Sequence, residues 1–111
     1  MRKAFNGKPA IRRSRAEADI QEIVSYYLAQ DAQTAALQFI DELEAAIYHL
    51  QAFPETGSPR FAHLLDLLGL RSWPLKRFPF LIFYFESAVS IDIWRILHQH
   101  RDVPAHLHQD E

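Results

Sequence analysis

Cysteine is absent from this 111-residue chain, and no apolar run approaches the length of a membrane-spanning helix. Without cysteine, disulfide bonds and zinc sites built on thiolates are excluded. A helix that spans a bilayer needs about 20 consecutive apolar residues, so we expect no membrane contact. The first residues are charged but no apolar segment follows them, which is not the pattern of a signal peptide, so we expect a cytoplasmic protein.

Each part of the chain is poor in charge of one sign, although the formal net charge is only -2. Residues 1–13 carry five basic groups and no acid, whereas residues 15–55 carry eight acids against a single basic residue, Arg15. Residues 56–101 carry six basic groups against three acids. This segregation predicts a surface with one positive and one negative side. Proteins that neutralise a phosphate backbone are usually basic overall, so we expect no direct nucleic-acid binding.

The stretch from Leu70 to Asp102 contains three apolar runs joined by short connections, which predicts a small sheet. The middle run, Phe78 to Glu86, is apolar on both faces of a strand and should be covered on both sides. Alternation assigns Phe78, Phe80, Ile82 and Tyr84 to one face and Leu81, Phe83 and Phe85 to the other. The next run, Ile91 to Leu97, follows so closely that it can pair only antiparallel.

Two amphipathic helices are predicted before this sheet. Ser14 and Glu17 have the spacing of a capping box, and the helix they begin should end near Gln30. Its apolar stripe comprises Ile20, Ile23, Val24, Tyr27 and Leu28. Asp31 is predicted as the N-cap of a second helix, which Pro54 ends. The stripe of that helix comprises Ala36, Ile40, Leu43, Ile47 and Leu50, with Leu37 and Phe39 beside it. Because almost no linker separates them, the helices should form an antiparallel hairpin.

The resulting order is β-α-α-β-β-β, with Pro9–Arg13 as the first strand and residues 61–70 as a short helical turn or an apolar lid. We predict a single α+β domain over residues 1–111, in which the N-terminal helical hairpin packs on one face of a small antiparallel sheet. Residues 1–8 and 104–111 are expected to be loose ends. The other face of the sheet should stay partly open, and aromatic residues exposed there would mark a partner site.

Four phrases, in this order, resemble the ParE branch of the RelE/ParE superfamily of bacterial toxins. They are SRAEADIQEIVSYY at 14–27, ALQFIDELEAAIYHLQAFPETGSPR at 36–60, LRSWPLKRFPFLIFYF at 70–85 and IDIWRILHQHRDVPAHL at 91–107. The resemblance covers nearly everything after residue 13. It implies a RelE/ParE-like fold, the toxin role in a type II toxin–antitoxin system, no cofactor, and a hetero-oligomer with a ParD-like antitoxin whose segment orders on binding.

Two toxic activities occur in this superfamily. RelE-like members are ribosome-dependent mRNA endonucleases, and cutting RNA needs an acid–base pair and cations that stabilise the pentavalent phosphate. Such members have an arginine where this chain has Leu81, an arginine matched here by Arg101, and a C-terminal tyrosine, whereas no tyrosine follows Tyr84. We therefore expect no enzyme activity and no catalytic residue, unless His106 or His108 replaces the missing acid. A histidine, an arginine and a carboxylate converging in an open cleft beside the tail would contradict this expectation.

ParE-like members are known for poisoning DNA gyrase, which requires binding to a cleaved state and no catalytic group. The resemblance thus implies gyrase as the target. Basic and aromatic residues near the strand ends and the C-terminus are the candidate target contacts: Trp73, Trp94, Arg95, His98 and Arg101. Apolar grooves beside Tyr26, Tyr27 and Tyr48 are candidates for antitoxin binding. A non-toxic protein-binding module of the same fold is a further alternative.

Most of these candidates also have a plain structural interpretation. Arg95 could instead bond a carboxylate such as Glu86 or Asp92. Arg101 could simply pair with Asp102, and both tryptophans could belong to the core.

Six histidines raise the question of a metal site. His98/His100 and His106/His108 are H-x-H pairs, which would place both rings on one face of a strand. No third ligand stands at a fixed place, so we predict no metal site.

Overall fold

The computed structural model describes residues 7–103, in which a helical hairpin is followed by three strands. The elements are β1 (Ala10–Arg12), α1 (Ser14–Ala29), α2 (Gln33–Ala52), a 3-10 turn (Pro54–Thr56), α3 (Arg60–Leu64), β2 (Leu70–Pro74), β3 (Phe80–Glu86) and β4 (Ile91–His98). The predicted order is confirmed, and α3 adds one short helix within the segment whose structure the sequence left open. Across residues 7–103, none of the helices is long and apolar enough to cross a membrane.

The strands form one 4-stranded sheet in the order β1-β4-β3-β2. β2 pairs antiparallel with β3, and β3 with β4, as their short connections predicted. β1 runs parallel to β4, with Ile11 opposite Asp92. The α+β fold is thus confirmed, but the sheet is mixed, and the prediction of an antiparallel sheet is wrong at this edge. The argument from short connections applies only to consecutive strands, and β1 and β4 are the first and last strands of the fold.

A bulge interrupts the pairing of β3 with β4. Phe83 lies opposite Arg95 and Tyr84 opposite Ile93, so Trp94 has no opposite residue on β3. An extra residue of this kind shifts the phase in which side chains alternate across a strand. As a result, Ile93 and Ile96 both join the core beneath the helices, although strict alternation would place them on opposite faces.

The sheet separates two apolar clusters. Phe80, Ile82 and Tyr84 lie in the cluster beneath the helices, whereas Leu81, Phe83 and Phe85 lie on the far face. The alternation predicted for β3 is therefore confirmed. On the far face, Phe61 of α3 packs on Phe83, and Val103 belongs to the same buried cluster, while Leu81, Phe85 and Trp94 stay half-buried. This face is partly open, as expected.

α2 buries four of its five predicted stripe residues, whereas α1 buries two of five, Ile20 and Ile23, and leaves Val24 and Tyr27 half-buried. The buried residues are Ala16, Asp19, Ile20 and Ile23 in α1, and Ala36, Phe39, Leu43, Ile47 and Leu50 in α2. Leu28 was predicted in the α1 stripe, yet it is 51% exposed near the end of the helix. Phe39, predicted to lie beside the α2 stripe, is fully buried in the core.

The helix starts differ from the predicted caps. α1 begins at Ser14 itself, and the residue before it, Arg13, donates its backbone N–H to Ile93 O at 3.0 Å. The extended chain of β1 therefore runs directly into the helix and leaves Ser14 no capping role. Asp31 adopts a left-handed φ of 59°, and α2 starts two residues later without a side-chain cap. Aspartate tolerates this conformation, which here turns the chain between the two helices.

Lys8 is held in place, so the prediction that residues 1–8 form a loose end is wrong at this residue. Its Nζ lies 2.7 Å from Glu86 Oε2 and 2.6 Å from Ser87 O, at the end of β3. Gln51 Nε2 donates to Lys8 O at 2.8 Å, and the Lys8 N–H donates to Gln51 O at 3.2 Å. Residues 1–6 and 104–111 lie outside the described part of the chain.

Candidate functional site

A cleft of about 720 Å³ opens between α1 and the C-terminal end of β4, and we call it the α1–β4 cleft. It is lined by Asp19, Glu22, Ile23, Tyr26, Tyr27, Pro79, Phe80, Arg95, Ile96, Leu97, His98, Arg101 and Asp102. Five candidates from the sequence therefore meet here: three nominated for the target (Arg95, His98, Arg101) and two for the antitoxin (Tyr26, Tyr27). Sequence reasoning had assigned them to two separate surfaces.

Asp19 and Arg95 form the floor of the cleft. Arg95 donates from Nε to Asp19 Oδ2 at 2.8 Å and from a terminal nitrogen to Oδ1 at 3.2 Å. The backbone N–H of Ile96 donates to the same Oδ2 at 2.9 Å. Hydrogen bonding to Asp19 raises the pKa of Arg95. A carboxylate partner for Arg95 was predicted, but the suggested residues, Glu86 and Asp92, were wrong, because the partner lies on α1, which packs against β4.

The rim of the cleft is a tight turn that follows β4. Asp102 Oδ2 accepts the His98 backbone N–H at 3.0 Å, and Asp102 Oδ1 accepts Arg101 Nε at 3.1 Å. His98 Nδ1 accepts the backbone N–H groups of His100 at 3.1 Å and Arg101 at 3.2 Å. The predicted Arg101–Asp102 pair is confirmed. Because Nδ1 is an acceptor here, the imidazole is held neutral with its proton on Nε2.

Two rim groups have shifted pKa values that agree with this geometry. Burial, followed by the nearby Arg101 charge, lowers the pKa of His98. Burial by itself would raise the pKa of Asp102, but hydrogen bonds from Arg101 and from the His98 backbone outweigh it and lower the pKa. The folded turn therefore favours neutral His98 and ionised Asp102.

Aromatic rings form the remaining wall. Tyr26 and Tyr27 meet edge to face at 5.6 Å, and Tyr27 also packs edge to face on Phe78 at 5.9 Å. Burial raises the pKa of Tyr27. Tyr26 is 60% exposed, so its ring face is open to an incoming group.

Most charged side chains of the cleft have a partner of opposite charge that lines the same cleft. Arg95 is bonded to Asp19 and Arg101 to Asp102, so both cations that line the cleft have a carboxylate partner. Glu22 is exposed and forms no salt bridge with any residue in 7–103. Two arginines therefore face three carboxylates, and the excess charge is negative.

Sequence reasoning missed Asp19 and Glu22 as site residues, although a signal was present. Asp19, Glu22, Ile23 and Tyr26 follow the i, i+3, i+4, i+7 spacing of a single helix face. Two acids on a face shared with buried Ile23 indicate a cleft wall, whereas acids on the opposite face would only be solvated.

The other three candidates lie outside the cleft. Trp73 of β2 stacks on His49 of α2, with ring centroids 4.7 Å apart and planes at 26°. Trp94 lies on the far face of the sheet and packs edge to face on Phe85 at 5.9 Å. Tyr48 is 61% exposed on α2. The five target candidates are thus divided among three places, and the structure does not bring them together.

The groups nominated for nuclease chemistry also have defined positions. Leu81 is half-buried on the far face, away from Arg101 in the cleft. His98, Arg101 and Asp102 do converge in an open cleft, which is the arrangement that counts against the expectation of no enzyme activity. His106 and His108 lie outside the described residues. Within residues 7–103 no group of three or more histidine or acidic side chains is arranged to hold a metal ion.

The comparisons with known proteins agree with this architecture. A family profile described as the ParE toxin of the type II toxin–antitoxin system parDE matches residues 11–103. A solved structure, the chromosomal ParDE TA system from P. aeruginosa, superposes with a TM-score of 0.68 at 24% identity, covering 82% of this chain and 95% of that chain. No curated protein sequence gives a significant match. The chain therefore belongs to the ParE toxin family of type II toxin–antitoxin systems.

Proposed function

We propose that this ParE-family chain inhibits DNA gyrase by binding it and is neutralised in the cytoplasm by a ParD-like antitoxin in a hetero-oligomer. The proposal needs no catalytic residue, because a ligand that binds one state of an enzyme better than another shifts the population toward that state. The family match over residues 11–103 supports the toxin role.

The pairing of the cleft arginines is the observation that favours binding over chemistry. RNA cleavage needs cations aimed at the charge that develops on the pentavalent phosphate. Arg95 is bonded to Asp19 through two nitrogens, and its side chain is only 14% exposed. Arg101 is bonded to Asp102, and Glu22 adds a further negative charge beside it. A polyanion would meet a net negative cleft and no free guanidinium.

A supercoiling assay tests the proposal. Relaxed plasmid, ATP and purified gyrase are incubated with increasing amounts of the toxin, with and without the antitoxin encoded beside its gene. We expect supercoiling to fall as the toxin rises and to recover when the antitoxin is added. Normal supercoiling at a large excess of toxin would contradict gyrase as the target.

A RelE-like mRNA endonuclease is the second candidate, favoured by the convergence of His98, Arg101 and Asp102 in the open cleft. In that case His98 would move a proton, and Arg101 would have to leave Asp102 to reach the phosphate. Ribosome-bound message in a translation extract, mapped by primer extension, distinguishes the candidates. Cuts that appear with the wild-type chain and disappear with His98→Gln would establish the nuclease, whereas intact message would exclude it.

A further inference from the structure

We propose that the α1–β4 cleft receives a basic side chain together with a neighbouring apolar or aromatic side chain from the antitoxin. The inference rests on the proposed function, since it names the chemistry of the segment that the antitoxin inserts. A volume of about 720 Å³ suits a few side chains of an inserted peptide and is far too small for a folded domain.

Glu22 is the group that selects for a basic side chain. It is exposed on the cleft wall, and no cation within residues 7–103 forms a salt bridge with it. The two cations of the cleft already have their carboxylates, Asp19 and Asp102. An acidic ligand would therefore have to break an existing pair, whereas a lysine or arginine can pair with Glu22, which forms no salt bridge within residues 7–103 and acts on Arg95 and Arg101 only at longer range.

The aromatic wall accepts the second side chain. Tyr26 presents an open ring, and Tyr27, Phe80 and Pro79 continue the surface beside it. Such a wall binds an apolar side chain by burial, and a guanidinium can also stack on a tyrosine face. Because Glu22 and the aromatic wall lie in one cleft, the cleft favours a segment that is both basic and apolar over a purely charged one.

The negative charge of the surface around the cleft also favours a basic segment. Residues 15–55, which include α2 and all of α1 after Ser14, carry eight acids and one basic residue. Potentials of this kind raise the rate at which a segment of opposite charge meets its site. An anionic segment, or a nucleic-acid strand, would be repelled by the helix that forms the cleft wall.

A charge exchange tests the inference. The full chain and the full-length antitoxin encoded beside its gene are mixed, and the dissociation constant is measured by titration calorimetry at low and high salt. We expect Glu22→Lys to weaken the complex by about 10-fold or more, and the matched control Glu44→Lys, an identical charge change at an exposed position of α2 outside the cleft, by less than about 2-fold.

The second part of the charge-exchange experiment substitutes residues of the antitoxin. Each of its lysines and arginines is replaced by alanine in turn, and the residue that matters most is then changed to glutamate. We expect that glutamate variant to bind wild-type toxin poorly and to recover affinity with Glu22→Lys, but not with Glu44→Lys. Tyr26→Ala should weaken the complex further, and Tyr26→Phe should preserve it, since the ring face is kept.

Two results would overturn the inference. If a complex forms but Glu22→Lys binds as Glu44→Lys does, the cleft is not the docking site. If acidic residues of the antitoxin prove to be the ones that matter, the predicted chemistry is wrong. The proposed function fails in a different way, because then the wild-type chain forms no complex with the antitoxin at all.

Discussion

Asp19 and Arg95 join the first helix to the last strand through two hydrogen bonds, at 2.8 Å and 3.2 Å. Both side chains are largely removed from solvent, with 9% and 14% of their surface exposed. Their meeting depends on the packing of α1 against β4. The same carboxylate accepts the Ile96 backbone N–H, so one residue fixes both the floor of the cleft and the position of the strand.

Replacing Asp19 by asparagine should destabilise the fold by about 3 kcal/mol, because it leaves Arg95 charged and without its partner in a nearly buried place. Urea unfolding followed by circular dichroism measures the change. The control is Asp41→Asn on α2, an exposed carboxylate outside the cleft, which we expect to change stability by less than about 0.5 kcal/mol. Equal stability of the two variants would show that the ion pair contributes nothing.

Replacing Tyr84 by phenylalanine should cost about 2 kcal/mol. The Tyr84 side chain is fully buried, and its hydroxyl donates to Pro54 O at 2.7 Å and accepts the Gly57 N–H at 3.0 Å. Without the hydroxyl, two backbone groups of the loop after α2 lose their partner. Tyr26→Phe is the matched control, because that ring is mostly exposed. If thermal unfolding gives the same midpoint for both variants, the buried hydroxyl does not anchor this loop.

Acidification should open the turn after β4. The pKa of His98 is lowered in the folded chain, so the folded state disfavours the proton that the unfolded chain accepts near pH 6.5. The stability that neutral His98 contributes is therefore complete above about pH 6.5 and is lost as the pH falls toward the folded pKa. Protonated Nδ1 can no longer accept the N–H groups of His100 and Arg101.

Amide hydrogen exchange can follow this opening. We expect the protection factors of His100 and Arg101 to fall by about 3-fold or more between about pH 7.5 and about pH 5.5. The variant His98→Gln, which has no titrating ring, should show no such pH dependence. Asp102 behaves differently, because its pKa is lowered: its contribution is complete above about pH 4 and is lost as the pH falls from there through the folded pKa. Unchanged protection while the His98 ring titrates would contradict the role of Nδ1.

The sequence predicted what depends on local pattern and missed what depends on tertiary placement. The two-sided apolar run of β3 gave the correct faces for Phe80 and Phe83, since alternation is a property of the strand itself. The partner of Arg95 could not be read in this way, because Asp19 is 76 residues away in the chain and meets Arg95 only through the packing of α1 against β4. The predictions that Ser14 and Asp31 cap the helices were wrong for a similar reason. The end of β1 decides where α1 starts, and the turn between the helices decides where α2 starts.

The parallel pairing of β1 was missed because nothing local specifies it. β1 has only three residues, and its partner strand β4 is the last in the chain. Likewise, the sequence could not show that residues proposed as target contacts and as antitoxin contacts line one cleft. Those residues were assigned to two binding roles, and only the packing of α1 against β4 brings Tyr26 and Arg101 to one place.

Arg101→Gln should separate binding from stability. The Arg101–Asp102 pair is largely exposed, with 67% and 31% of the side-chain surface accessible, so its loss should change stability by less than about 0.5 kcal/mol. If the α1–β4 cleft also contacts the target, inhibition of supercoiling should weaken by about 5-fold or more, since arginine is one of the residue types enriched among the contacts that dominate binding energy.

Arg77→Gln is the matched control for this substitution. Arg77 is 70% exposed and likewise pairs with a carboxylate, Glu42 at 3.4 Å, but it lies outside the cleft. Both variants should unfold at the same urea concentration, so that a difference in inhibition reports contact with the target and not folding. Equal inhibition by Arg101→Gln, Arg77→Gln and the wild-type chain would place the target-binding surface elsewhere, and Trp94 on the far face of the sheet would be the next position to substitute.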